Sequence, residues 1–154
     1  MRWHYRDAAL LWLFVPAYLA HLAEELLGGF PAWIQVVVGR PLPMTAFLGI
    51  NAVALALLVV GIRVAIRRES AGWMAVAVAA VVTLNAVLHL FGSVITGTYS
   101  PGLITGVVVY VPLGLLTLLR AWQQQPSATF GRGVAAGVLV HAIVSAVAFA
   151  ATRT

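Results

Sequence analysis

Long apolar stretches separated by short polar segments are the dominant pattern along the chain. Five of them are long enough to cross a bilayer, because about 20 helical residues span its hydrocarbon core. These are Ala8–Leu27, Met44–Ile62, Trp73–Ile95, Pro101–Trp122 and Gly133–Ala151. Polar and apolar residues do not alternate within them, and an open sheet cannot satisfy its edges in lipid. The pattern predicts an all-α polytopic membrane helix bundle with about five transmembrane helices.

The connections between these stretches are short, except for the segment Gly28–Pro43. That segment contains Phe30-Pro31-Ala32-Trp33-Ile34, and we expect an interfacial or re-entrant turn there rather than a sixth span. Residues 123–127, Gln-Gln-Gln-Pro-Ser, have the composition most typical of a linker. Since 154 residues amount to one domain's length of chain, we expect a single transmembrane domain over residues 1–154.

Composition places the chain in a cell membrane as a multi-pass protein. Hydrophobic residues make up 62% and charged residues 8%, and the mean hydropathy is +1.01. Soluble domains are about 45–50% apolar and about 25% charged, so lipid must cover most of this surface. The net charge of +5 does not indicate nucleic-acid binding, because the arginines lie at the ends of apolar stretches. The absence of cysteine excludes disulfides, thiolate metal sites and thiol catalysis.

The placement of arginine predicts an N-in/C-out orientation. With the N-terminus in the cytoplasm, seven of the nine arginines lie inside, as the positive-inside rule requires. The inside set is Arg2, Arg6, Arg63, Arg67, Arg68, Arg120 and Arg132, and the outside set is Arg40 and Arg153. The apolar run after Arg6 is too long for the h-region of a signal peptide, so we expect the first helix to be retained.

The first helix carries three ionisable residues on one face, within His21-Leu22-Ala23-Glu24-Glu25. At about 100° per residue, Glu24 and Glu25 lie roughly 60° and 40° to either side of His21. Ionisable groups within a bilayer are costly and mark a functional site by default. The alternative is that the two carboxylates, close to the helix end, lie among the lipid headgroups.

The third and fifth helices each carry a histidine with a polar neighbour one turn away. Asn85 precedes His89 by four residues, and Ser145 follows His141 by four. His141 also continues a stripe of small residues that should face the bundle. The three helices that carry these histidines run in one direction across the membrane. Counted from their inner ends, the depths of the three histidines differ by about 12 Å at most. We expect one polar site between the mid-membrane and the outer half, although each histidine alone would also fit a helix–helix hydrogen bond.

Small residues spaced four apart occur on two helices. They are Gly102-x-x-x-Gly106 on the fourth helix and Gly133-x-x-x-Gly137 on the fifth. This spacing allows helices to approach closely, and packing within one bundle is its ordinary meaning.

Histidine and carboxylate together indicate a divalent metal, zinc or iron. The expected ligands are His21, Glu25, His89 and His141. Glu25 is preferred over Glu24 because it lies four residues after His21 on the same stripe, the spacing of helical zinc sites. Glu24 would then be the catalytic general base. Asn85, Ser145 or the second glutamate would accept a hydrogen bond from the other ring nitrogen of a ligating histidine. Without a metal, the same groups could form a proton relay, or one of the carboxylates could pair with a neighbouring histidine.

The His21-Leu22-Ala23-Glu24-Glu25 pentad resembles the HXXEE-motif family of small bacterial integral membrane proteins. Asn85-x-x-x-His89 supports the resemblance, as does Tyr99-Ser100-Pro101-Gly102 with Thr105 after it. The resemblance covers most of the chain and implies a pairing of these motifs, but no particular reaction.

The sequence therefore predicts a metal-dependent membrane enzyme, a hydrolase or an oxidoreductase, that acts on a lipid-like or amphipathic substrate. Two other classes stay open. One is a non-enzymatic carrier or binding protein for a proton, a metal or a small ligand. The other is a structural membrane subunit whose polar residues only lock helices together.

Overall fold

The computed structural model describes residues 5–153, and side chains from Ala8 onward. Within that part of the chain, all regular structure is helical. The helices are α1 (Tyr5–Trp12 continuing as Phe14–Leu27), α2 (Phe30–Val38), α3 (Met44–Arg67), α4 (Gly72–Thr96), α5 (Leu103–Gln124) and α6 (Ser127–Ala151). All but α2 are long and apolar enough to cross a membrane. The all-α bundle with five spans is confirmed, whereas the N-in/C-out orientation stays a prediction, and Arg2 lies outside the described residues.

Helix α1 is broken at Leu13, between its two segments. Pro16 explains the break, because proline lacks the amide hydrogen that would bond the carbonyl of Trp12 four residues earlier. The helix resumes with the bond from the Ala17 amide to the Leu13 carbonyl, 3.1 Å. The second segment ends beside Gly28, so that His21 and both glutamates lie in its last two turns.

The connection from residue 28 to residue 43 contains helix α2, whose nine residues are too few to cross the hydrocarbon core. Glycines with positive φ flank the helix at both ends, Gly29 at 76° and Gly39 at 83°. The indole nitrogen of Trp33 donates to the Thr98 hydroxyl at 3.0 Å. Helix α2 is thereby fixed across the end of the bundle, which confirms that this segment is not a sixth span.

Two helices extend beyond the predicted apolar stretches. Helix α3 continues to Arg67 instead of ending at Ile62, and α6 begins at Ser127 instead of Gly133. The added turns carry Arg63 and Arg132, whose long side chains can reach headgroups while the backbone stays helical. Hydropathy locates the edges of the lipid rather than the ends of the helices, so it ended α3 too early and began α6 too late.

Helix α4 lies at the centre of the bundle and packs against α3, α5 and α6. Helix α6 approaches it through glycines, since an added Cβ at Gly137 would lie 2.7 Å from the carbonyl oxygen of Ala77. Helix α5 does the same, since a Cβ on Gly106 would lie 3.3 Å from the Cα of Ala86. Gly106 and Gly137 therefore serve packing within the bundle, whereas Gly102, predicted on the fourth helix, lies in the turn before α5 with a φ of 103°.

Helix α5 widens into a π-helical turn at Gly106–Tyr110. The Val111 amide bonds the carbonyl of Gly106, five residues earlier, rather than that of Val107. Pro112 follows directly and has no amide hydrogen with which to restore the α-helical register. The wider turn sets the direction of the Tyr110 side chain, which is buried against the polar site. Such turns are frequent at functional sites.

Candidate metal centre

Three buried side chains from two helices meet at one end of the bundle. Glu25 Oε1 lies 3.2 Å from His89 Nε2 and 3.5 Å from His21 Nε2. One ligand atom from each of the three residues lies within 4.8 Å of the others. Within the described residues this is the one group of its kind. Two imidazoles and a carboxylate at these separations can hold a divalent metal ion.

The second nitrogen of each imidazole is held by a hydroxyl group. The Thr105 hydroxyl lies 2.8 Å from Nδ1 of His21, and the Ser100 hydroxyl lies 2.9 Å from Nδ1 of His89. Both hydroxyls come from the loop and first turn that connect α4 to α5. Such partners orient a ligating imidazole, and here they turn both Nε2 atoms toward Glu25.

The Glu24 carboxylate holds that same loop in place. It accepts hydrogen bonds from the backbone amides of Gly102 (3.1 Å), Ile104 (2.9 Å) and Thr105 (2.7 Å). It also accepts a hydrogen bond from the Tyr99 hydroxyl. Two of the donors, Ile104 and Thr105, are amides in the first turn of α5 that have no partner within the helix, and Gly102 directly precedes that turn. A carboxylate from α1 therefore caps α5.

Tyr99 lies in the loop and is 46% exposed. Partial desolvation and the neighbouring Glu24 carboxylate raise the pKa of Tyr99 to about 12. The phenol therefore stays protonated well above neutral pH and remains a donor to Glu24.

Aromatic rings and one glycine enclose the two histidines. The Tyr110 ring stacks on His21 with 4.4 Å between centroids, and Phe30 of α2 lies 5.3 Å from His89. Gly102 adopts a φ of 103°, and a Cβ there would lie 2.6 Å from His89 Cε1 and 2.8 Å from His21 Cε1. Only glycine fits between the loop and the imidazoles.

A cavity of about 790 Å³ opens from the three residues into the bundle. Its walls come from α3, α4 and α6, and Phe30 and Trp33 of α2 line it at the end that holds the site. Most of its lining is aliphatic or aromatic. The volume falls in the range of sites that hold a small organic molecule.

His141, Asn85 and Ser145 line this cavity without joining the group of three. His141 is buried, as expected for a residue on the small-residue stripe. The Asn85 side-chain oxygen is buried and has no hydrogen-bond partner among the described residues. The hydroxyls of Ser100 and Thr105, rather than Asn85 or Ser145, hold the second nitrogens of His89 and His21. The roles expected for His141, Glu24, Asn85 and Ser145 stay predictions.

Sequence reasoning did not assign Ser100, Tyr110 or Phe30 to the site. Ser100 lies in the Tyr99-Ser100-Pro101-Gly102 stretch that supported the family resemblance, so the sequence gave a partial signal for it. The aromatic residues resemble ordinary interfacial residues along the chain, and only the π-helical turn and helix α2 bring them to the histidines.

A family model described as a protein of unknown function with an HXXEE motif matches residues 12–117. This range contains the three clustered residues, the α4–α5 loop and the π-helical turn, and it ends before α6. No curated protein and no solved structure matches the chain.

Proposed function

We propose that this chain, which belongs to the HXXEE-motif family of proteins of unknown function, is a metal-dependent membrane enzyme. Its substrate would be a lipid-like or amphipathic molecule. One observation carries the proposal: His21, Glu25 and His89 converge, buried, at the end of an apolar cavity.

The separations fit an ion better than they fit a simple ion pair. Ligand atoms at about 2.0–2.1 Å from a tetrahedral zinc are about 3.3–3.4 Å apart, close to the observed 3.2 and 3.5 Å from Glu25 Oε1. His21 Nε2 has no hydrogen-bond partner among the described residues. At 3.5 Å its contact with Glu25 is too long for a well-formed hydrogen bond. Three protein ligands leave a fourth position open, as in catalytic rather than structural zinc sites.

The chain's own residues prepare this position for chemistry. A divalent metal supplies Lewis acidity toward a polar substrate group. His21 and His89 hold it, oriented by Thr105 and Ser100, and Glu25 completes the set. The aromatic rings and the loop limit the access of water, which strengthens electrostatic interactions in the site.

We assign Glu24 a positioning role in place of the general base suggested by the sequence. Three hydrogen bonds at Oε1 and one at Oε2 tie this carboxylate to the loop and to α5, which are the contacts of a group that positions the loop. The loop in turn carries Ser100, which contacts His89, while Thr105 in the first turn of α5 contacts His21. In this scheme the first glutamate of the motif builds the site and the second binds the ion.

Metal content measured on the purified full-length chain tests the proposal. We expect about one equivalent of zinc or iron in the wild type, and a large loss in His89→Ala and Glu25→Gln. His141→Ala is the matched control, because it removes a buried histidine from the same cavity without touching the group of three. Normal metal content in both ligand variants would overturn the proposal, as would an absence of metal in the folded wild type after loading.

Activity is tested by exposing membrane lipid extracts to reconstituted protein with and without metal and comparing them by mass spectrometry. A product that forms only when the metal is present and Glu25 is intact would support the proposal that the protein is an enzyme. Stoichiometric metal without turnover of any extract would favour the non-enzymatic binding protein and refute the catalytic part.

The alternative without a metal is favoured by one feature, the position of Glu25 Oε1 between two imidazole nitrogens. That arrangement can hold a proton by itself. Proton uptake by reconstituted vesicles that persists after chelation, and that fails in Glu25→Gln, would identify this function instead.

A further inference from the structure

We infer that the cavity binds a molecule with one long apolar chain and a head that both donates and accepts a hydrogen bond, such as a secondary amide or a hydroxyl, held by Asn85 and Tyr110. The inference rests on the proposed function, because it names the substrate class of the same site. Its evidence is separate from the metal ligands.

Besides His21 Nε2, two buried polar atoms in the cavity wall lack partners among the described residues. They are the Tyr110 hydroxyl and the side-chain oxygen of Asn85. Tyr110 is 2% exposed, and both residues line the cavity. A buried polar atom without a partner destabilises the fold, and nearly all such atoms in folded proteins are satisfied. A bound group should satisfy these two.

The chemistry of the two atoms defines that group. Asn85 Oδ1 can only accept a hydrogen bond, so its partner must donate one. The Tyr110 hydroxyl can donate, and its partner must then accept. A secondary amide or an alcohol satisfies both atoms, whereas an ester or an ether can satisfy only Tyr110.

The position of the two residues places this head beside the metal centre. Asn85 lies one helical turn before His89 on α4, and Tyr110 stacks on His21. A head group held by both therefore lies next to the open position of the proposed ion.

The polarity of the lining changes along the cavity. Its polar residues cluster at the end that holds the site. At the other end the lining is apolar and comes from α3 and the start of α4: Leu57, Leu58, Gly61, Trp73, Met74 and Ala77. Sixteen residues separate His89 from Trp73, about 24 Å along α4, which is most of the height of the hydrocarbon core. An occupant with its head at His89 would therefore extend its chain toward Trp73.

Fluorescence quenching of Trp73 tests both the head group and the direction of the chain. The probes are a long-chain N-methylamide and the corresponding methyl ester, each brominated near the chain end, added to the full-length protein in bilayer discs. The amide should quench at a roughly threefold to tenfold lower concentration, as expected for one hydrogen bond of about 0.5–1.5 kcal/mol. Trp73→Phe should lose this quenching component.

Variants of the two polar residues separate their contributions. Asn85→Leu should abolish the preference for the amide, and Tyr110→Phe should weaken both probes while keeping the preference. Asn85→Ala repeats the first test if the leucine variant does not fold. Equal binding of amide and ester by the wild type would overturn the inference, because water alone would then satisfy the two atoms.

Metal content is measured on the same samples, so that the two proposals fail separately. His89→Ala should lose metal and keep the amide preference, since neither Asn85 nor Tyr110 is changed. A wild type that holds metal but does not distinguish the probes refutes this inference alone. A wild type that distinguishes the probes without holding metal refutes the proposed enzyme alone.

Discussion

Replacing Gly102 by alanine tests whether the α4–α5 loop shapes the metal centre. The new Cβ would lie 2.6 Å from His89 Cε1 and 2.8 Å from His21 Cε1, so the loop or the imidazoles must move. A φ of 103° is also strained for any residue other than glycine. We expect Gly102→Ala to destabilise the protein and to remove most of its bound metal.

The magnitude follows from two separable effects. Backbone strain at positive φ costs about 1–3 kcal/mol, and insertion of a methyl group into a packed site costs about 1–3 kcal/mol more. Restriction of the unfolded chain offsets about 0.4–1 kcal/mol of this. The sum is a loss of about 2–5 kcal/mol in the free energy of unfolding.

Gly97→Ala is the matched control, because Gly97 has a φ of 64° in the same loop and no atom within 4 Å of the position of an added Cβ. It carries the strain without the contact and should cost about 1–2 kcal/mol. In thermal unfolding of the detergent-solubilised protein, the Gly102 variant should unfold about 5–10 °C below the Gly97 variant. Equal midpoints and equal metal content in the two variants would show that the contact with the histidines has no energetic role.

Three further outcomes are expected. A reporter fused after Thr154 should read as external if the N-in/C-out prediction holds, and a cytoplasmic signal would contradict it. Thr105→Val should lower metal affinity about 10–100-fold because His21 loses its Nδ1 partner. Thr117→Val should leave the affinity unchanged, because that buried hydroxyl lies about 18 Å further along α5 and bonds the Leu113 carbonyl. Ultraviolet titration should show Tyr99 ionising near pH 12 rather than 10. Because this pKa is raised in the folded protein, the stabilising hydrogen bond to Glu24 is fully present below pH 10 and is lost as the pH rises through about 12. A Tyr99 midpoint near 10 would contradict the contact.

Hydropathy was sufficient to predict the bundle, because a span of about 20 apolar residues has few alternatives in lipid. Helical periodicity was also sufficient to place His21 and Glu25 on one face, where the structure brings them beside His89. The same periodicity assigned Glu25 to the metal and Glu24 to catalysis, but it could not predict the difference between the contacts that the two carboxylates make. That difference depends on the α4–α5 loop, whose path is set by Gly97, Gly102 and contacts far apart in the chain.

The sequence likewise could not predict that the π-helical turn directs Tyr110 toward the site. Pro112 signals an irregularity in α5, but not that the wider turn places Tyr110 on His21. Helix α2 was foreseen only as a turn, because nine residues between two glycines carry too short a pattern for a periodicity argument. Its contribution of Phe30 to the site depends on its docking through Trp33.

The hydroxyl partners of the two histidines have a consequence for protons. A hydroxyl can donate or accept, so Ser100 and Thr105 do not dictate which ring nitrogen of His89 or His21 carries the hydrogen. With hydrogen on Nδ1, each Nε2 presents a lone pair to a cation. With hydrogen on Nε2, His89 donates to Glu25 Oε1 at 3.2 Å, and His21 directs its N–H toward the same oxygen at 3.5 Å. The two tautomers differ in which ring nitrogen carries the hydrogen and in the rotation of one hydroxyl group, and the heavy atoms stay in place. The two histidines can therefore present either lone pairs or N–H groups toward Glu25 without repacking of the bundle.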